Sequence, residues 1–388
     1  MRHPVTLTFT LLFAAGTAGA ETDQHGARPA TADADGNPFA GAHLYTNPDF
    51  TRVAAAMAAK APTQAPALKR LGALPTAIWL DSIKQVPSVS RHLDEAHRQQ
   101  LAAGAPVVPV FVIYDLPGRD CAAKSSNGEL RLKDEGRYQH EYIDAIAAAF
   151  RAHPAQKAVA IIEPDSLANL ATNLALDTCA AAEPVYRRSV AYAVAKLSLP
   201  NASIYLDAAH GGWLGWERNR KKVAAIFRQV LDAAGGPDRI RGFSVNVSNY
   251  NPTKVENGRR GSPTDPGPDE LSYVEDLRHS LAEVGINEKG FVVDTSRNGK
   301  LGIRANGANW CNIAHAGLGE RPRVAPVAGI DAYLWIKPPG ESDGTSDPRA
   351  PRFDSNCASS EALPGAPQAG ELFPAYLLEL VKNANPPL

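Results

Sequence analysis

The sequence predicts an α/β fold, a parallel β/α barrel that forms a single domain. Apolar runs and segments of helical periodicity alternate about seven times along the chain. The apolar runs are too continuous for half-exposed strands and fit strands that are buried on both faces. Length and strand number favour a closed or nearly closed barrel over a doubly wound sheet, and no G-x-G-x-x-G follows the first run.

The predicted strands are rich in Val, Ile and aromatic residues. In chain order they are ALPTAIWLDS (73–82), APVVPVFVIYDL (105–116), KAVAIIEPDS (157–166), ASIYLDAAH (202–210), RGFSVNVSNY (241–250), KGFVVDTSRNG (289–299) and DAYLWIKPPGE (331–341). Helical periodicity is clearest in YQHEYIDAIAAAFRAH (138–153), PVYRRSVAYAVAKLSL (184–199), PDELSYVEDLRHSLAEVG (268–285) and ELFPAYLLELVKNAN (371–385).

Polar residues stand at or just past the carboxyl end of every predicted strand: Asp81, Asp115, Glu163, Asp165, Asp207, His210, Asn246, Asp294 and Lys337. In a β/α barrel these ends meet on one face, where active sites are built. Capping of the following helix could explain one or two of these acids but not the same habit on seven strands. The pattern therefore predicts one shared polar site.

The amino-terminal residues predict export. Residues 1–20 combine a basic start at Arg2, a short apolar run and a small-residue end, which is typical of a signal peptide, and the run is too short to span a membrane. Residues 21–36 are polar and turn-rich, so we expect a disordered lead before a domain at 37–388. Without Arg2 the 40 Lys and Arg become 39 against 41 Asp and Glu, a net charge of −2 that favours neither nucleic acid nor an anionic membrane as partner.

The four cysteines, Cys121, Cys179, Cys311 and Cys357, lack the C-x-x-C spacing of zinc sites. In an exported chain they predict two disulfides, for which the sequence alone allows three pairings. No metal site is predicted either, because His210 has no second histidine three or four residues away. Neither G-x-S-x-G nor a P-loop is present, so serine hydrolysis and phosphoryl transfer lack support.

Two carboxylates are the best candidates for chemistry. Asp120 follows the turn Pro117–Gly118 in YDLPGRDCAAKSSNG, and Asp165 stands near the end of AVAIIEPDSL. If they converge, like charge and burial would raise one pKa and keep that acid protonated near neutrality. A carboxylic acid beside a carboxylate is the equipment of glycoside hydrolysis.

Tryptophans supply candidate sugar platforms, because pyranose C–H faces stack on such rings. We expect Trp79, Trp213, Trp216 and Trp310 to line the site and Trp335, inside a strand, to pack in the core. His210 is expected to hydrogen-bond a sugar or a neighbouring carboxylate.

The segments YDLPGRDCAAKSSNG and AIIEPDSL resemble the two signature segments of glycoside hydrolase family 6, the inverting cellulases. The similarity spans residues 37–388 and includes YLDAAHGGWLGW, NVSNYN, WCN and WIKPPGESDGTSDPRAPRFDSNC. It implies a distorted seven-stranded, TIM-like β/α barrel that hydrolyses β-1,4-glucan such as cellulose, with no metal or organic cofactor.

The resemblance also implies roles for individual residues. Asp165 matches the general acid, Asp120 the partner that raises the acid's pKa and draws a proton from the attacking water near Ser126, and Asp343 the third family aspartate, whose role as direct base is less settled. Tyr114 matches the residue that presses on the ring at the cleavage subsite. The tryptophans Trp79, Trp213, Trp216 and Trp310 match sugar platforms, and the hydrogen-bonding positions are Asp81, Asp207, His210, Asn246, Lys337 and Glu341.

Disulfide pairing and mode of attack follow from the same resemblance. It implies the pairs Cys121–Cys179 and Cys311–Cys357, and the long loops after Asp120 and after Pro338 resemble those that enclose the groove of chain-end cutters. We therefore expect a secreted, monomeric cellobiohydrolase, extracellular or periplasmic. The alternatives are an endoglucanase with an open cleft and a polysaccharide-binding protein without catalysis.

Overall fold

A curled eight-stranded sheet forms the centre of the computed structural model, which describes Met1 and residues 36–256 and 261–388. In these residues the strands are β1 (His43–Leu44), β2 (Ile78–Leu80), β3 (Val107–Val108), β4 (Val110–Ile113), β5 (Ala158–Ile162), β6 (Ala202–Asp207), β7 (Gly242–Val245), β8 (Gly290–Asp294), β9 (Arg323–Val324) and β10 (Ile330–Leu334). The predicted signal peptide and polar lead lie outside the described residues, apart from Met1 and Gly36.

The order of the strands confirms the predicted barrel. The sheet runs β2-β4-β5-β6-β7-β8-β10-β9, and the seven strands from β2 to β10 pair in parallel. Each of them coincides with one of the seven predicted runs, although β10 begins one residue earlier, at Ile330. The short β9 pairs antiparallel with β10, and β1 pairs with β3 in a separate two-stranded sheet.

The barrel is distorted because its first and last parallel strands do not form a ladder. Ala77 donates one backbone hydrogen bond to the carbonyl of Trp335 at 3.0 Å. The indole Nε1 of Trp79 adds a second bond, to the carbonyl of Ile336 at 2.8 Å. We call this join between β2 and β10 the seam.

Helices cover the outside of the sheet. They are α1 (Pro48–Lys60), α2 (Ala65–Leu71), α3 (Ser88–Ala103), α4 (Glu135–Arg137), α5 (Asp144–Ala152), α6 (Ser166–Thr172), α7 (Asp177–Leu197), α8 (Gly211–Leu214), α9 (Glu217–Ala234), α10 (Glu270–Glu283) and α11 (Pro374–Lys382). None of the helices in the described part of the chain is both long and apolar enough to cross a bilayer.

Two of the predicted helices differ in detail. The segment that starts at Tyr138 begins as a π-helical turn, Tyr138–Ile143, before α5. π-Helical turns are rare in proteins, and those that occur are often found at functional sites. The helix predicted from Pro184 starts earlier, so that Pro184 lies inside α7.

The strands separate two apolar layers, because successive side chains point to opposite faces. Side chains such as Val112, Ile161 and Val292 fill the barrel interior. Their neighbours on the same strands, such as Ile113 and Ile162, pack against the helices. β4, β5, β7, β8 and β10 are buried throughout, as their continuous apolar composition predicts. Packing on both faces thereby fixes the position along the barrel axis at which each strand ends and its loop begins.

Candidate active site

A cavity of about 1060 Å³ lies at the carboxyl ends of the parallel strands. All three predicted catalytic residues line it, and so do all but two of the predicted substrate-binding residues: Asp120, Asp165, Asp343, Trp79, Asp81, Tyr114, Ser126, His210, Trp213, Trp216, Trp310, Lys337 and Glu341. The strands therefore bring together residues that lie up to 264 positions apart, from Trp79 to Asp343.

Asp165 lies one residue before α6 and faces the cavity, partly exposed. Its backbone is left-handed, with φ of 65°, a conformation that side chains other than glycine adopt rarely and at an energetic cost. The backbone N–H donates to Oδ2 of Asp207 at 3.0 Å, which holds this turn in place. Burial raises the pKa of the Asp165 carboxyl well above its usual range, and the charges of Asp207, Asp120 and Asp343 raise it further.

Asp120 is buried beside Tyr114, and it too has a left-handed backbone, with φ of 54°. The hydroxyl of Tyr114 hydrogen-bonds to its carboxylate, and the hydroxyl of Ser126 lies close to it. Burial raises the pKa of Asp120, while these hydroxyls and the charge of Arg119 oppose the rise. The site therefore contains Asp165, whose pKa is raised well above its usual range, and Asp120, whose carboxyl group is surrounded by hydrogen-bond donors.

Arg119 organises the loop around Asp120. Its Nε donates to the carbonyl of Ser126 at 2.8 Å, its Nη1 donates to the carbonyls of Tyr114 and Asp81, and its guanidinium lies 4.1 Å from the centre of the Tyr114 ring. The direct contacts of the Arg119 side chain are these carbonyls and this ring.

Asp343 is buried and bound on one oxygen. Its Oδ2 accepts from Arg297 Nη1 at 2.7 Å, from the N–H of Asn312 at 2.9 Å and from the hydroxyl of Tyr250 at 3.3 Å. Its Oδ1 lies 3.7 Å from Nζ of Lys337. Arg297, fully buried, is a residue that sequence reasoning missed; the only signal was its place after a strand in KGFVVDTSRNG.

Tryptophans mark the length of the cavity. Trp79 lies edge-on to Tyr114 with ring centres 4.9 Å apart, and Trp213 is fixed by a 2.8 Å bond from its Nε1 to Oγ1 of Thr172. Trp216 is the most exposed of them, at 47%. Trp335 is buried against the cluster that contains residues of α1, α2 and α11, which confirms it as a core residue.

Hydrogen bonds set the tautomer of His210. The Asn251 Oδ1 accepts from Arg304 at 2.5 Å, so the Asn251 amide nitrogen is the group that faces Nδ1 of His210, at 3.3 Å. A hydrogen-bond acceptor at Nδ1 leaves the ring proton on Nε2. Burial and then the Arg304 charge lower the pKa of His210 to about 3, so the ring is a neutral donor.

At the other end of the site, Glu341 lies 4.0 Å from Lys337. Burial raises the pKa of Glu341 to about 7, and the charge of Lys337 opposes this shift.

Asp207 and Asn246 do not line the cavity. Asp207 accepts the backbone N–H groups of Asp165 and Ala209, each at 3.0 Å, and the Asn246 amide donates to two loop carbonyls. Both residues lie directly beneath the site. Their contacts place them in support of Asp165 and of the loop after β7, and their predicted contact with substrate stays a prediction.

Other polar strand ends also turn inward. Asp294 is buried and accepts backbone N–H groups from four residues at 2.9 to 3.2 Å: Ser248, Ser296, Ile336 and Lys337. Glu163 binds the backbone after β4, while neither oxygen of Asp115 has a hydrogen-bond partner among the described residues. The polar strand ends thus form two layers, one that faces the cavity and one that holds the loops.

Two loops meet over the cavity, and we call them together the roof: residues 121–131 and residues 343–370. The N–H of Lys124 donates to Oδ2 of Asp354 at 3.1 Å, and Arg352 Nη1 donates to the carbonyl of Asn127 at 3.3 Å. Arg352, which the sequence did not single out, also lines the cavity.

Disulfides anchor both parts of the roof. Cys121 pairs with Cys179 at the start of α7, and Cys311 pairs with Cys357. Both predicted pairs are confirmed. Among the described residues, no group of three or more His, Cys, Asp or Glu side chains is arranged to hold a metal ion.

Comparison with known proteins identifies the family. The model of the family "Glycosyl hydrolases family 6" matches residues 39–384. The chain belongs to glycoside hydrolase family 6. Among family 6 relatives, the 1,4-beta-D-glucan cellobiohydrolase C of Emericella nidulans is 42% identical over 367 residues, which cover 92% of this chain and 80% of that protein.

Solved family 6 structures share the fold. The CcCel6A catalytic domain, complexed with p-nitrophenyl beta-D-cellotrioside, is 41% identical with a TM-score of 0.87, and the match covers 91% of this chain and 99% of that one. Cellobiohydrolase II (Cel6A) from Humicola insolens, in complex with glucose and cellotetraose, is 36% identical with a TM-score of 0.86 over 91% and 100% of the two chains. The distorted barrel is therefore the family 6 fold.

Proposed function

We propose that this chain is a secreted cellobiohydrolase that hydrolyses β-1,4-glucan from chain ends with inversion. The observation that carries the proposal is the pairing of a protonated acid, Asp165, with Asp120 inside a roofed cavity lined by tryptophans. The names of its family 6 relatives support the same activity. Export is supported by the predicted signal peptide and by the two disulfides.

The acid step belongs to Asp165. Its raised pKa keeps the proton available for the glycosidic oxygen as the bond breaks. Because Asp207 fixes the backbone N–H of Asp165, the carboxyl is presented from a rigid turn. No metal ion takes part in this proton transfer as proposed.

The water that attacks the anomeric carbon loses its proton to Asp120. Ser126, whose hydroxyl lies close to Asp120, relays that proton through a further water. Asp343 contributes negative charge near the reacting ring, and its occupied Oδ2 makes it a weaker candidate for the base. Tyr114, held by Asp120 and Arg119, supplies the surface that favours a distorted sugar ring.

Inversion is the first testable consequence. An acid and a water-activating carboxylate, with no nucleophile on the sugar, give a product of opposite anomeric configuration. We expect the α-anomer to appear first when fresh hydrolysate of cellotetraose is followed by proton NMR. Initial release of the β-anomer would show a covalent intermediate and would rule out this assignment of Asp120.

The roof gives the second prediction. A closed roof forces the glucan to thread, so the enzyme should release cellobiose and lower the viscosity of carboxymethyl cellulose only slowly. The double variant Arg352→Ala, Asp354→Ala removes both side chains that join the two roof loops. We expect it to lower viscosity several times faster per reducing end released.

The matched control is Arg349→Ala, since Arg349 lies in the same loop and its side chain, among the described residues, bonds only to the exposed Asp347. A steep fall of viscosity with the unchanged enzyme would instead establish an endoglucanase. Equal viscosity curves for the double variant and the control would show that these contacts do not close the roof.

A further inference from the structure

Glu163 directly follows β5, two residues before the proposed acid, and it is 1% exposed. Like Asp165 it has a left-handed backbone, with φ of 46°. Strained backbone of this kind persists only where the surroundings hold it in place. Its side chain does not line the cavity, so the proposed chemistry leaves this buried carboxylate without a role.

The partners of Glu163 are two backbone N–H groups just past β4 and one tyrosine hydroxyl. Its Oε1 accepts the N–H of Asp115 at 3.2 Å and the hydroxyl of Tyr138 at 2.8 Å, and its Oε2 accepts the N–H of Leu116 at 3.2 Å. Both carboxylate oxygens therefore bind consecutive N–H groups where the chain leaves β4. Tyr138 can reach Glu163 because it opens the π-helical turn before α5.

The backbone that Glu163 binds leads directly to Asp120. After Leu116 come Pro117 and Gly118, whose φ is 71°, and the N–H of Arg119 donates back to the carbonyl of Leu116 at 2.9 Å. This tight turn leaves little freedom between Leu116 and Asp120. A shift of the Leu116 backbone is thus passed on to the Asp120 carboxylate.

We propose that Glu163 is a positioning residue that fixes Asp120 relative to Asp165. In the short segment Glu163-Pro164-Asp165, Asp165 faces the cavity while Glu163 hydrogen-bonds to the backbone that leads to Asp120. The inference rests on the proposed function, because it assigns Glu163 to the same pair of carboxylates.

Charge supports this role. Burial raises the pKa of Asp115 to about 8 and that of Glu163 to about 7, and the donors of Glu163 and the Arg119 charge oppose the rise at Glu163. The three hydrogen bonds that Glu163 accepts stabilise the charged form of its carboxyl, whereas neither oxygen of Asp115 has a hydrogen-bond partner among the described residues.

The test is Glu163→Gln, which keeps the shape but places an NH₂ donor against backbone N–H groups. We expect kcat on cellotetraose to fall about 100-fold, the effect of a displacement near 1 Å, with KM unchanged. Because the charge of Asp120 raises the pKa of Asp165, a displaced Asp120 should also move the alkaline limb of the rate profile to lower pH.

The control is Asp115→Asn, an equally conservative change in the same buried cluster at a side chain that accepts no hydrogen bond. We expect it to change neither kcat nor the alkaline limb. Circular dichroism and cellobiose affinity measure whether each variant is folded with an intact groove. Tyr138→Phe, which removes one of the three donors, should give a smaller loss of kcat in the same direction.

Two results would overturn the positioning role: a Glu163→Gln profile equal to that of Asp115→Asn, or a loss that only follows the unfolded fraction while the limb stays in place. Failure of the proposed function would look different, because the unchanged enzyme would then release no cellobiose.

Discussion

Asp165→Ala should lower the rate of cellulose hydrolysis about 1,000-fold, within the range that general acid catalysis contributes. The loss follows from the raised pKa of Asp165, which makes it the protonated group beside the scissile bond. On 2,4-dinitrophenyl β-cellobioside the loss should be far smaller, because that leaving group needs little protonation. Reducing-sugar release and absorbance measure the two rates.

The rate profile adds a signed test. A carboxyl with a raised pKa acts as an acid below that pKa and stops acting as pH rises through it, so the alkaline limb should disappear in Asp165→Ala. Asp238→Asn, at a fully exposed carboxylate, is the control and should match the unchanged enzyme. Equal losses on the two substrates would mean that Asp165 is not the acid. An unchanged enzyme that binds cellulose without releasing sugar would establish the binding protein.

Arg297→Met should cause the largest loss of stability. Arg297 is fully buried, donates to Asp343 at 2.7 Å and lies over the Tyr250 ring at 4.4 Å. Removal of one partner of a buried ion pair leaves an uncompensated charge and costs about 3–5 kcal/mol. Urea unfolding at pH 7 measures the free energy of unfolding.

The comparison for this experiment is the ion pair between Arg349 and Asp347. This pair is exposed, and both residues lie in one loop. Arg349→Met should leave the midpoint of unfolding unchanged, since such surface pairs contribute little. Adding Asp343→Asn to Arg297→Met should recover part of the lost stability because it removes the stranded charge. If Arg297→Met unfolds at the same urea concentration as Arg349→Met, the buried pair is not a stabilising contact.

The sequence predicted the barrel and the strand-end acids of the cavity for one physical reason. Strands buried on both faces have an unmistakable composition, and their carboxyl ends must meet on one side of the sheet. The acids at those ends are therefore brought together by the fold, as Asp81 and Asp165 show, which both line the cavity. The helix boundaries were less predictable, because Pro184 is tolerated inside α7 and Tyr138 begins a π turn.

The division of labour among these acids could not be predicted. Glu163 and Asp165 follow the same strand two residues apart, yet one binds backbone N–H groups and the other faces the cavity. The direction of each side chain depends on local left-handed turns and on donors from distant loops. The role of Arg297 was hidden for the same reason, since its partner Asp343 lies 46 residues further along the chain.

Trp79, one of the predicted sugar platforms, also takes part in the seam between β2 and β10. Where a complete ladder would bind two strands with many backbone hydrogen bonds, this barrel is fastened by the Ala77 amide and by the indole N–H of Trp79. Trp79 thus joins the two strands in addition to its proposed role as a stacking surface for sugar. The change Trp79→Phe would keep a flat ring for sugar but would remove the indole N–H, and with it one of the two hydrogen bonds of the seam. The same residue lines the cavity and joins β2 to β10, so an exchange of its aromatic ring made to alter sugar specificity would also change the hydrogen bonding that closes the barrel.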